Sequence, residues 1–463
     1  MRLASHIRRR LAASVTAVAI AVVLVGASGV GASGVSAAGT ELPASAAPLP
    51  VPVPASANVP HKFTHRAETP PTTANCQTAF GVACYSPKQY RRAYGFNTLY
   101  RQGVTGRGRT IAIVDAFGSP TIQQDLDVFD TDFGLAHTQV QIIQPVGVVP
   151  AFDPSNIEQQ DWAFETTLDV EYAHAIAPDA TILLVETPVS EAEGIQGFPE
   201  IVQAERYVVD HRLADVISQS FGATENTFPD PKGDIGRLRA VFKSAAKAHI
   251  TVLGASGDTG VTDVKRDGET LYSHRVDSWP SSDPLVTSIG GTQLSLALSG
   301  DRLQKDVVWN DGYGAGGGGT SKVFSRPAFQ NGVKKITGSH RGTPDISMSA
   351  AVDGSALVYL GLPNVPNLPA GYYLVGGTSE ATPIFAGVVA LADQLAEHRL
   401  GTINAALYKL DGKASKGIVD VTRGNNSFGG IKGYTAKRGY DLASGWGTIN
   451  APKFVKALAK SHN

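Results

Sequence analysis

Ser379 stands in a segment whose residue types could support nucleophilic chemistry. It follows a Gly-Gly-Thr turn and precedes a long apolar run in GGTSEATPIFAGVVALADQ, residues 376–394. This order predicts a serine at a helix N-terminus, where free main-chain N–H groups and the positive end of the helix dipole favour an oxyanion on an attacked carbonyl. A serine at that position can also be a simple N-cap. A chemical role therefore requires a base elsewhere in the chain.

A pair of carboxylates in DWAFETTLDVEYAHAIAPDATILLVE, residues 161–186, is a candidate for that base. Glu165 and Asp169 are four residues apart, which on a helix places both side chains on one face. Two carboxylates so close resist double ionisation, so the pKa of one rises and the pair can exchange a proton. Such pairs are usually solvated, but the apolar residues around this one favour partial burial.

Three other titratable residues lie near these segments or after apolar runs. Asp258 follows TVLGASG, where ordinary turn chemistry would explain an aspartate. Asp115 comes after TIAIV, and we expect it to end a strand. His174 lies within two helical turns of Asp169, and we expect it to be a packed helix histidine rather than a base.

The elements that must position these residues alternate between short β-branched runs and helix-length segments. The predicted strands are residues 110–117, 140–145, 181–186, 216–221 and 251–257, and the predicted helices include residues 158–176, 198–212 and 234–248. This alternation predicts an α/β fold, a doubly wound and mostly parallel sheet with helices on both faces, in a single large domain. Active sites of such sheets lie at the carboxyl ends of the strands.

Composition separates the beginning of the chain from the rest. Residues 1–37 combine arginines, a short apolar run and small residues, which predicts an export signal rather than a membrane anchor. Residues 38–75 are rich in Pro and Ala and predict a linker or a short propeptide, and residues 76–463 form the predicted domain. A net charge of −1 gives no electrostatic reason to bind nucleic acid or an anionic membrane. Cys76 and Cys84 suit one small disulfide loop in an exported chain, although two free thiols are an alternative.

Taken together, the motifs resemble the sedolisin, or serine-carboxyl peptidase, family. E-x-x-L-D-V-E followed by His-Ala-Ile-Ala-Pro, then VLGASGDTG, then G-G-T-S-x-A-T-P occur in the family's order over roughly residues 85–463. Subtilisins share G-T-S-x-x-x-P but need a His-Gly-Thr segment, and none of the eleven histidines is followed by Gly-Thr. The resemblance implies a subtilisin-like fold in which Glu165 is the general base, Asp169 orients it, Ser379 is the nucleophile and Asp258 serves the oxyanion hole.

The family resemblance also implies one calcium ion near the C-terminus. The segment DVTRGNNSFGGIKGYTAKRGYDLASGWG, residues 420–447, is similar to the family's calcium-binding region. Side-chain oxygens would come from Asp420 and Asp441, and main-chain carbonyls from Val421, Lys437 and Gly439, a donor set that suits a hard cation. Lys437 departs from the usual glycine. A metal-free loop rich in Gly and Asn is the alternative.

The resemblance implies an endopeptidase that acts on polypeptides at acidic pH, with maximal activity at roughly pH 3 to 5.5 for carboxyl pKa values near those of free side chains. With the export signal, we expect a secreted protein, and we expect a monomer. A tripeptidyl-peptidase on the same scaffold and a catalytically silent secreted binding protein are the alternatives. Two departures bear on these expectations. Phe221 in SQSFG stands where several relatives have tryptophan, and residues 38–75 are short for the large folded propeptide of the family. The glycines of residues 309–330 are expected to form a loop near the substrate cleft.

Overall fold

The computed structural model describes residues 62–461, with the exception of 192–193 and 367. The predicted export signal, residues 1–37, lies outside the described residues, and so does the predicted linker as far as residue 61. All described residues belong to one compact unit. None of the helices in this described part is long and apolar enough to cross a membrane.

The strands and helices follow in chain order. The strands are β1 (Lys62–Ala67), β2 (Cys84–Tyr85), β3 (Thr110–Ala116), β4 (Gln141–Ile143), β5 (Thr181–Thr187), β6 (Val216–Gln219), β7 (Ala223–Thr224), β8 (Thr251–Ala255), β9 (Ser278–Trp279), β10 (Thr287–Gln293), β11 (Val307–Val308), β12 (Thr320–Ser325), β13 (His340–Gly342), β14 (Ile346–Ser349), β15 (Ser355–Leu360), β16 (Gly371–Gly376), β17 (Ile418–Val419) and β18 (Thr448–Ile449). The α-helices are α1 (Thr73–Phe80), α2 (Pro87–Tyr94), α3 (Asn97–Tyr100), α4 (Ile122–Phe133), α5 (Ile157–Ile176), α6 (Phe198–Asp210), α7 (Pro231–Leu238), α8 (Ala240–Lys247), α9 (Lys334–Thr337), α10 (Thr378–Ala396), α11 (Asn404–Lys409) and α12 (Ala451–Lys460).

The central sheet has the strand order β11-β10-β8-β6-β3-β5-β4, and β14 also pairs with β10. The pairs are parallel except for β10 with the short edge strand β11. From β3 the chain builds the sheet in both directions, because β5 lies on one side of it and β6 on the other. This is the mostly parallel, doubly wound sheet that the sequence predicts.

Alternating side chains of β3 enter two different hydrophobic cores. Ile111 and Ile113 belong to the core that contains residues of α4, α5, α10 and α12. Ala112 and Val114 belong to the core that contains residues of α6 and α8. Because side chains of a strand alternate between its faces, helices cover both faces of the sheet, as predicted.

A second sheet, in the order β1-β16-β15-β2, leads directly into the Ser379 segment. In it β1 pairs antiparallel with β16, with Lys62 opposite Gly376 and Ala67 opposite Tyr372. The described chain therefore already contributes a paired strand upstream of residue 76, inside the predicted linker. Cys76 and Cys84 form a disulfide, as expected for an exported chain, and are not free thiols.

The helix predicted over residues 234–248 is two helices, α7 and α8. They are separated at Arg239, whose guanidinium donates to the buried Asp283 carboxylate at 2.6 and 2.8 Å. Neither glycine nor proline stands at the break, so the sequence pattern alone gives no sign of it.

Candidate active site

Ser379 lies in the first turn of α10, as the motif predicts, and is fully buried. The turn before it depends on Gly377, which has φ +150°, a conformation that L side chains rarely adopt. The Gly377 N–H donates to the carbonyl of Ala350 at 2.7 Å. The end of β16 and a backbone conformation that favours glycine thus present the serine at a helix N-terminus.

The carboxylates of Glu165 and Asp169 lie on α5, which packs against α10. Every residue from Asp161 to Ile176 is buried, because α5 is enclosed by the sheet and by neighbouring helices. Glu165 and Asp169 are both 0% exposed. The pair is therefore more deeply buried than the sequence pattern suggested.

Burial raises the pKa of Glu165 to about 8. Contacts with the hydroxyls of Ser379 and Ser220 lower this pKa, because hydroxyl donors favour the ionised carboxylate. The structure thus brings the Ser379 hydroxyl to the Glu165 carboxyl. Burial also raises the pKa of Asp169, and the nearby carboxyls of Asp115 and Glu165 raise it further.

Asp115 and Ser220 are members of this site that the sequence pattern did not assign to it. Asp115 lies on β3, where burial and the neighbouring Glu165 carboxyl raise its pKa. The Ser220 hydroxyl donates to Asp169 at 3.0 Å. Both residues lie at or just beyond the carboxyl ends of adjacent parallel strands, β3 and β6, and that position is the signal that could have identified them.

Asp258 lies on the other side of the Ser379 turn. Its Oδ1 accepts hydrogen bonds from the Thr378 N–H at 2.8 Å and from the Thr378 hydroxyl at 2.9 Å. The Thr378 hydroxyl in turn accepts from the Gly257 N–H at 3.1 Å. Asp258 is therefore next to the nucleophile segment, but it contacts the residue before Ser379.

The glycine run predicted to lie near the cleft packs against the segment that carries Asp258. The Ala315 N–H donates to the Asp258 carbonyl at 2.9 Å, and the Gly317 N–H donates to the Gly257 carbonyl at 2.7 Å. A Cβ on Gly317 would stand 1.9 Å from the Ser256 carbonyl oxygen, so only glycine allows this approach. The run thus holds the main chain of Gly257 and Asp258 in place.

His174 and Phe221 are not part of this cluster. His174 is fully buried on α5, where its Nε2 lies 2.9 Å from the Ala136 carbonyl and 3.2 Å from Asp130 Oδ1. Phe221 packs with Phe198 at a ring-centroid distance of 6.4 Å. Both side chains have packing roles in this geometry.

The residues expected to hold calcium come together in one loop region. The Gly439 N–H donates to Asp420 Oδ2 at 3.0 Å, and the Lys437 N–H donates to Asp441 Oδ2 at 2.7 Å. Asp420 Oδ1 is buried and accepts no hydrogen bond from the described residues. In the described ranges no three His, Cys, Asp or Glu side chains could hold a metal ion together. A cation here would depend on main-chain carbonyls as well as the two aspartates, and the oxygen donors present fit such a site.

Comparisons with known proteins agree with this geometry. Residues 156–409 match Peptidase_S8, the subtilase family. Kumamolisin of Bacillus sp. (strain MN-32) is 31% identical over 400 residues, which cover 84% of this chain and 66% of kumamolisin. Tripeptidyl-peptidase 1 of Canis lupus familiaris is 30% identical over 64% of this chain and 52% of its own length. The chain thus spans less than two thirds of the length of these relatives.

A solved structure gives the same result for the fold. Pseudomonas sedolisin, a serine-carboxyl proteinase complexed with two molecules of pseudo-iodotyrostatin, superimposes with a TM-score of 0.69 at 29% identity, covering 82% of this chain and 100% of that one. The fold and the family match define a subtilase. Within the subtilases, this chain belongs to the sedolisin family of serine peptidases, as its motifs predict.

Proposed function

We propose that this protein is a serine-carboxyl endopeptidase in which Ser379 is the nucleophile and Glu165 its general base. The observation that carries the proposal is the contact between the Ser379 hydroxyl and a fully buried glutamate that is itself paired with Asp169. The positive end of the α10 dipole acts on Ser379, which lies in the first turn of that helix. Polypeptides are the proposed substrates.

The reaction follows from the positions of these groups. Ser379 Oγ attacks the scissile carbonyl carbon while Glu165 takes the hydroxyl proton. Glu165 returns that proton to the leaving amine as the C–N bond breaks, which leaves an acyl-enzyme. Water then attacks the acyl carbon, its proton passes through Glu165 to Ser379 Oγ, and the acid product leaves. Asp169, held by Ser220, orients Glu165.

Asp258 is proposed to donate a hydrogen bond to the oxyanion, together with the Ser379 N–H. Its Oδ1 is an acceptor for Thr378, which leaves Oδ2 as the oxygen that would carry a proton toward the substrate. A carboxyl donates only when it is protonated, so we propose that activity belongs to the acid side of neutrality.

A calcium ion is proposed at Asp420, Asp441 and the carbonyls of Val421, Lys437 and Gly439. It would supply positive charge that holds the loop between residues 420 and 441, and it takes no part in the reaction. The composition of residues 1–37 supports the proposal that the protein is secreted, and the net charge of −1 gives no electrostatic reason for it to bind nucleic acid. A monomer is proposed.

Removal of the hydroxyl or of the base tests the proposal. Ser379→Ala and Glu165→Gln should each lower kcat on a denatured protein by several orders of magnitude, because one lacks the nucleophile and the other carries an amide that cannot act as a base. Circular dichroism should show that both variants fold. A Ser379→Ala variant that digests casein at the parent rate contradicts the assignment.

Product analysis separates the alternative activities. Mass spectrometry of one long peptide distinguishes internal cleavage from the stepwise release of tripeptides, the alternative favoured by the similarity to tripeptidyl-peptidase 1. A folded parent protein that cleaves no peptide between pH 3 and 7 would support the silent binding protein instead.

A further inference from the structure

Glu380 is a buried carboxyl that the proposed reaction does not use. It follows Ser379 directly, at the position that the G-G-T-S-x-A-T-P motif leaves open. Its side chain is 0% exposed. A glutamate is almost never buried to this extent unless it is paired or neutral.

The hydroxyl of Tyr90, on α2, lies between two acceptors. It is 2.7 Å from Glu380 Oε1 and 3.1 Å from the Gly354 carbonyl. Tyr90 has one hydroxyl hydrogen and cannot satisfy both acceptors at full strength. In the described chain it is the only hydrogen-bond donor to the Gly354 carbonyl. A proton on Glu380 resolves this conflict, because the acid can donate to Tyr90 while Tyr90 donates to Gly354.

Among the described residues, the titratable groups that face Glu380 provide no positive charge. They are Tyr90 and Tyr94 from α2, Tyr172 from α5 and Asp258 from the loop after β8. None of these four can be a cation, and Asp258 is acidic. A buried carboxylate without a counter-ion is strongly disfavoured relative to the neutral acid.

The titration of Glu380 agrees with this picture. Burial raises its pKa to about 8, and this effect exceeds the lowering by contacts with the Tyr90 hydroxyl, the Ser349 hydroxyl and the Ala356 N–H. In the acid range the group is therefore a neutral acid.

We propose that Glu380 is a positioning residue for Ser379. As a neutral acid it donates a hydrogen bond to Tyr90, which donates to the Gly354 carbonyl, and these bonds connect the first turn of α10 to α2 and to Gly354. Loss of the Glu380 proton weakens this connection. This inference rests on the proposed role of Ser379 as the nucleophile. Asp258 holds Thr378 on the other side, so a buried carboxyl anchors each chain neighbour of Ser379. When Glu380 ionises, the Tyr90 hydrogen turns to the carboxylate and the Gly354 carbonyl loses its donor.

Steady-state kinetics from pH 4 to 9 on an internally quenched peptide test the positioning role. The variants are compared in the Asp258→Asn background, where loss of the Asp258 proton no longer limits activity at high pH. There the amide of Glu380→Gln keeps a donor at every pH, so the alkaline fall of kcat should move up by about one pH unit while KM stays within about twofold. Tyr90→Phe breaks the connection at every pH, and kcat should fall about tenfold with little change in KM. The matched control is Glu205→Gln, a buried carboxyl on α6 whose pKa burial also raises to about 8, and it should leave the kcat profile unchanged.

An unmoved alkaline limb in Glu380→Gln, or a Tyr90→Phe variant with parent kcat, overturns the proposal. A Glu205→Gln variant that shifts the alkaline limb of kcat as much as Glu380→Gln also overturns the proposal, because the shift would then come from a change in stability alone. If Glu380→Gln fails to fold, the Tyr90→Phe result decides.

A second measurement does not depend on peptidase activity. In the Ser379→Ala background, the thermal midpoint should fall less between pH 5 and 8 when Glu380 is also replaced by Gln, because the variant has no proton to lose. If the thermal midpoint falls equally with and without Glu380→Gln, Glu380 is not a neutral acid at pH 5. If the parent hydrolyses no peptide, the proposed function is wrong, and the positioning role is wrong with it. A smaller fall of the thermal midpoint in the Glu380→Gln variant would then still show that Glu380 is a neutral acid.

Discussion

At the scale of single residues, the site is dominated by buried carboxyls rather than by a histidine. The Asp115 and Glu165 carboxyls lie close enough to Asp169 to disfavour its ionisation, and Glu165 does the same to Asp115. Three such groups lose protons as a unit, so the first ionisation of the cluster is the event that makes a base available. The expectation of maximal activity at roughly pH 3 to 5.5 assumed carboxyl pKa values near those of free side chains. Burial raises the pKa of all three carboxyls, so we expect the acid limb of activity at a higher pH than the free side-chain values would give.

Asp115→Asn should move the acid limb of kcat/KM to lower pH by about one unit. The substitution removes a like charge that raises the pKa of Asp169, so the cluster loses its first proton more easily. The pH profile of kcat/KM on an oligopeptide is the measurement, with Asp125→Asn as control, since Asp125 is a buried carboxyl of α4 outside the cluster. A limb that stays in place, or moves up, contradicts the coupling.

Asp258→Asn should keep more activity than Glu165→Gln and extend it to higher pH. The amide oxygen can still accept from Thr378, and the amide N–H₂ donates to an oxyanion without needing a proton from solution. We expect kcat to fall about tenfold to a hundredfold at the optimum, in a comparison of full pH profiles. Parent activity with an unchanged alkaline limb would show that Asp258 serves only the Thr378 turn.

At the scale of elements, α10 and α5 place the serine and the carboxylates together because they are packed side by side under the sheet. The loops at the carboxyl ends of β3, β6 and β8 then add Asp115, Ser220 and Asp258. The proposed calcium loop lies apart from these elements in sequence and contacts β14 through a pair of hydrogen bonds, which join Ser347 to Gly447 and Ser444. A cation bound there would stabilise the loop without touching the reacting atoms.

Calcium should raise the thermal midpoint of the protein, and a chelator should lower it. A ligand that binds only the folded state stabilises it by RT ln(1 + [L]/Kd), about 2.7 kcal/mol at a hundredfold excess over Kd. Asp420→Asn should reduce the rise of the thermal midpoint with calcium, and Asp441→Ala should remove this rise. Because Asp441 also accepts hydrogen bonds from Lys437, Ala443 and Ser444, the comparison is the change on chelation within each variant. Asp411→Ala, at a charged surface position, is the control, and a parent midpoint indifferent to chelator contradicts the site.

At the scale of the whole molecule, buried carboxyls make folding depend on pH. Burial raises the pKa of Glu205 and Glu380 to about 8 and that of Asp125 to about 7. In the unfolded chain these groups return to ordinary values near 4. Stability from a raised pKa is complete below the unfolded value and is lost as the pH rises toward the folded value. A tenfold stronger proton affinity in the folded chain corresponds to about 1.36 kcal/mol of unfolding free energy lost across this range.

The thermal midpoint should therefore fall as the pH rises from about 5 to 8. Scanning calorimetry on the Ser379→Ala variant, at constant calcium, measures this without autolysis. Glu205→Gln should flatten the fall, whereas Glu269→Gln, at an exposed position, should leave it unchanged. A midpoint that is constant or rises over this range contradicts protonated carboxyls in the core.

Local sequence is sufficient for the class of fold and for most of the candidate site. Hydrophobic periodicity is local, so the β3, β5, β6 and β8 runs and the α5 and α6 segments could be predicted with their approximate bounds. The spacing of Glu165 and Asp169 and the glycines before Ser379 are local as well. Their motifs named the family that the comparisons then showed.

Long-range contacts, by contrast, determine which residues stand beside these motifs. Asp115, Ser220 and Tyr90 are far in sequence from the groups they contact, and no local pattern encodes such contacts. The strand β1 also depends on a distant partner, β16, which a Pro-rich composition cannot reveal. The same holds for the proton on Glu380: its pKa is set by burial among α2, α5 and the turn before β15, and burial is a property of the assembled fold.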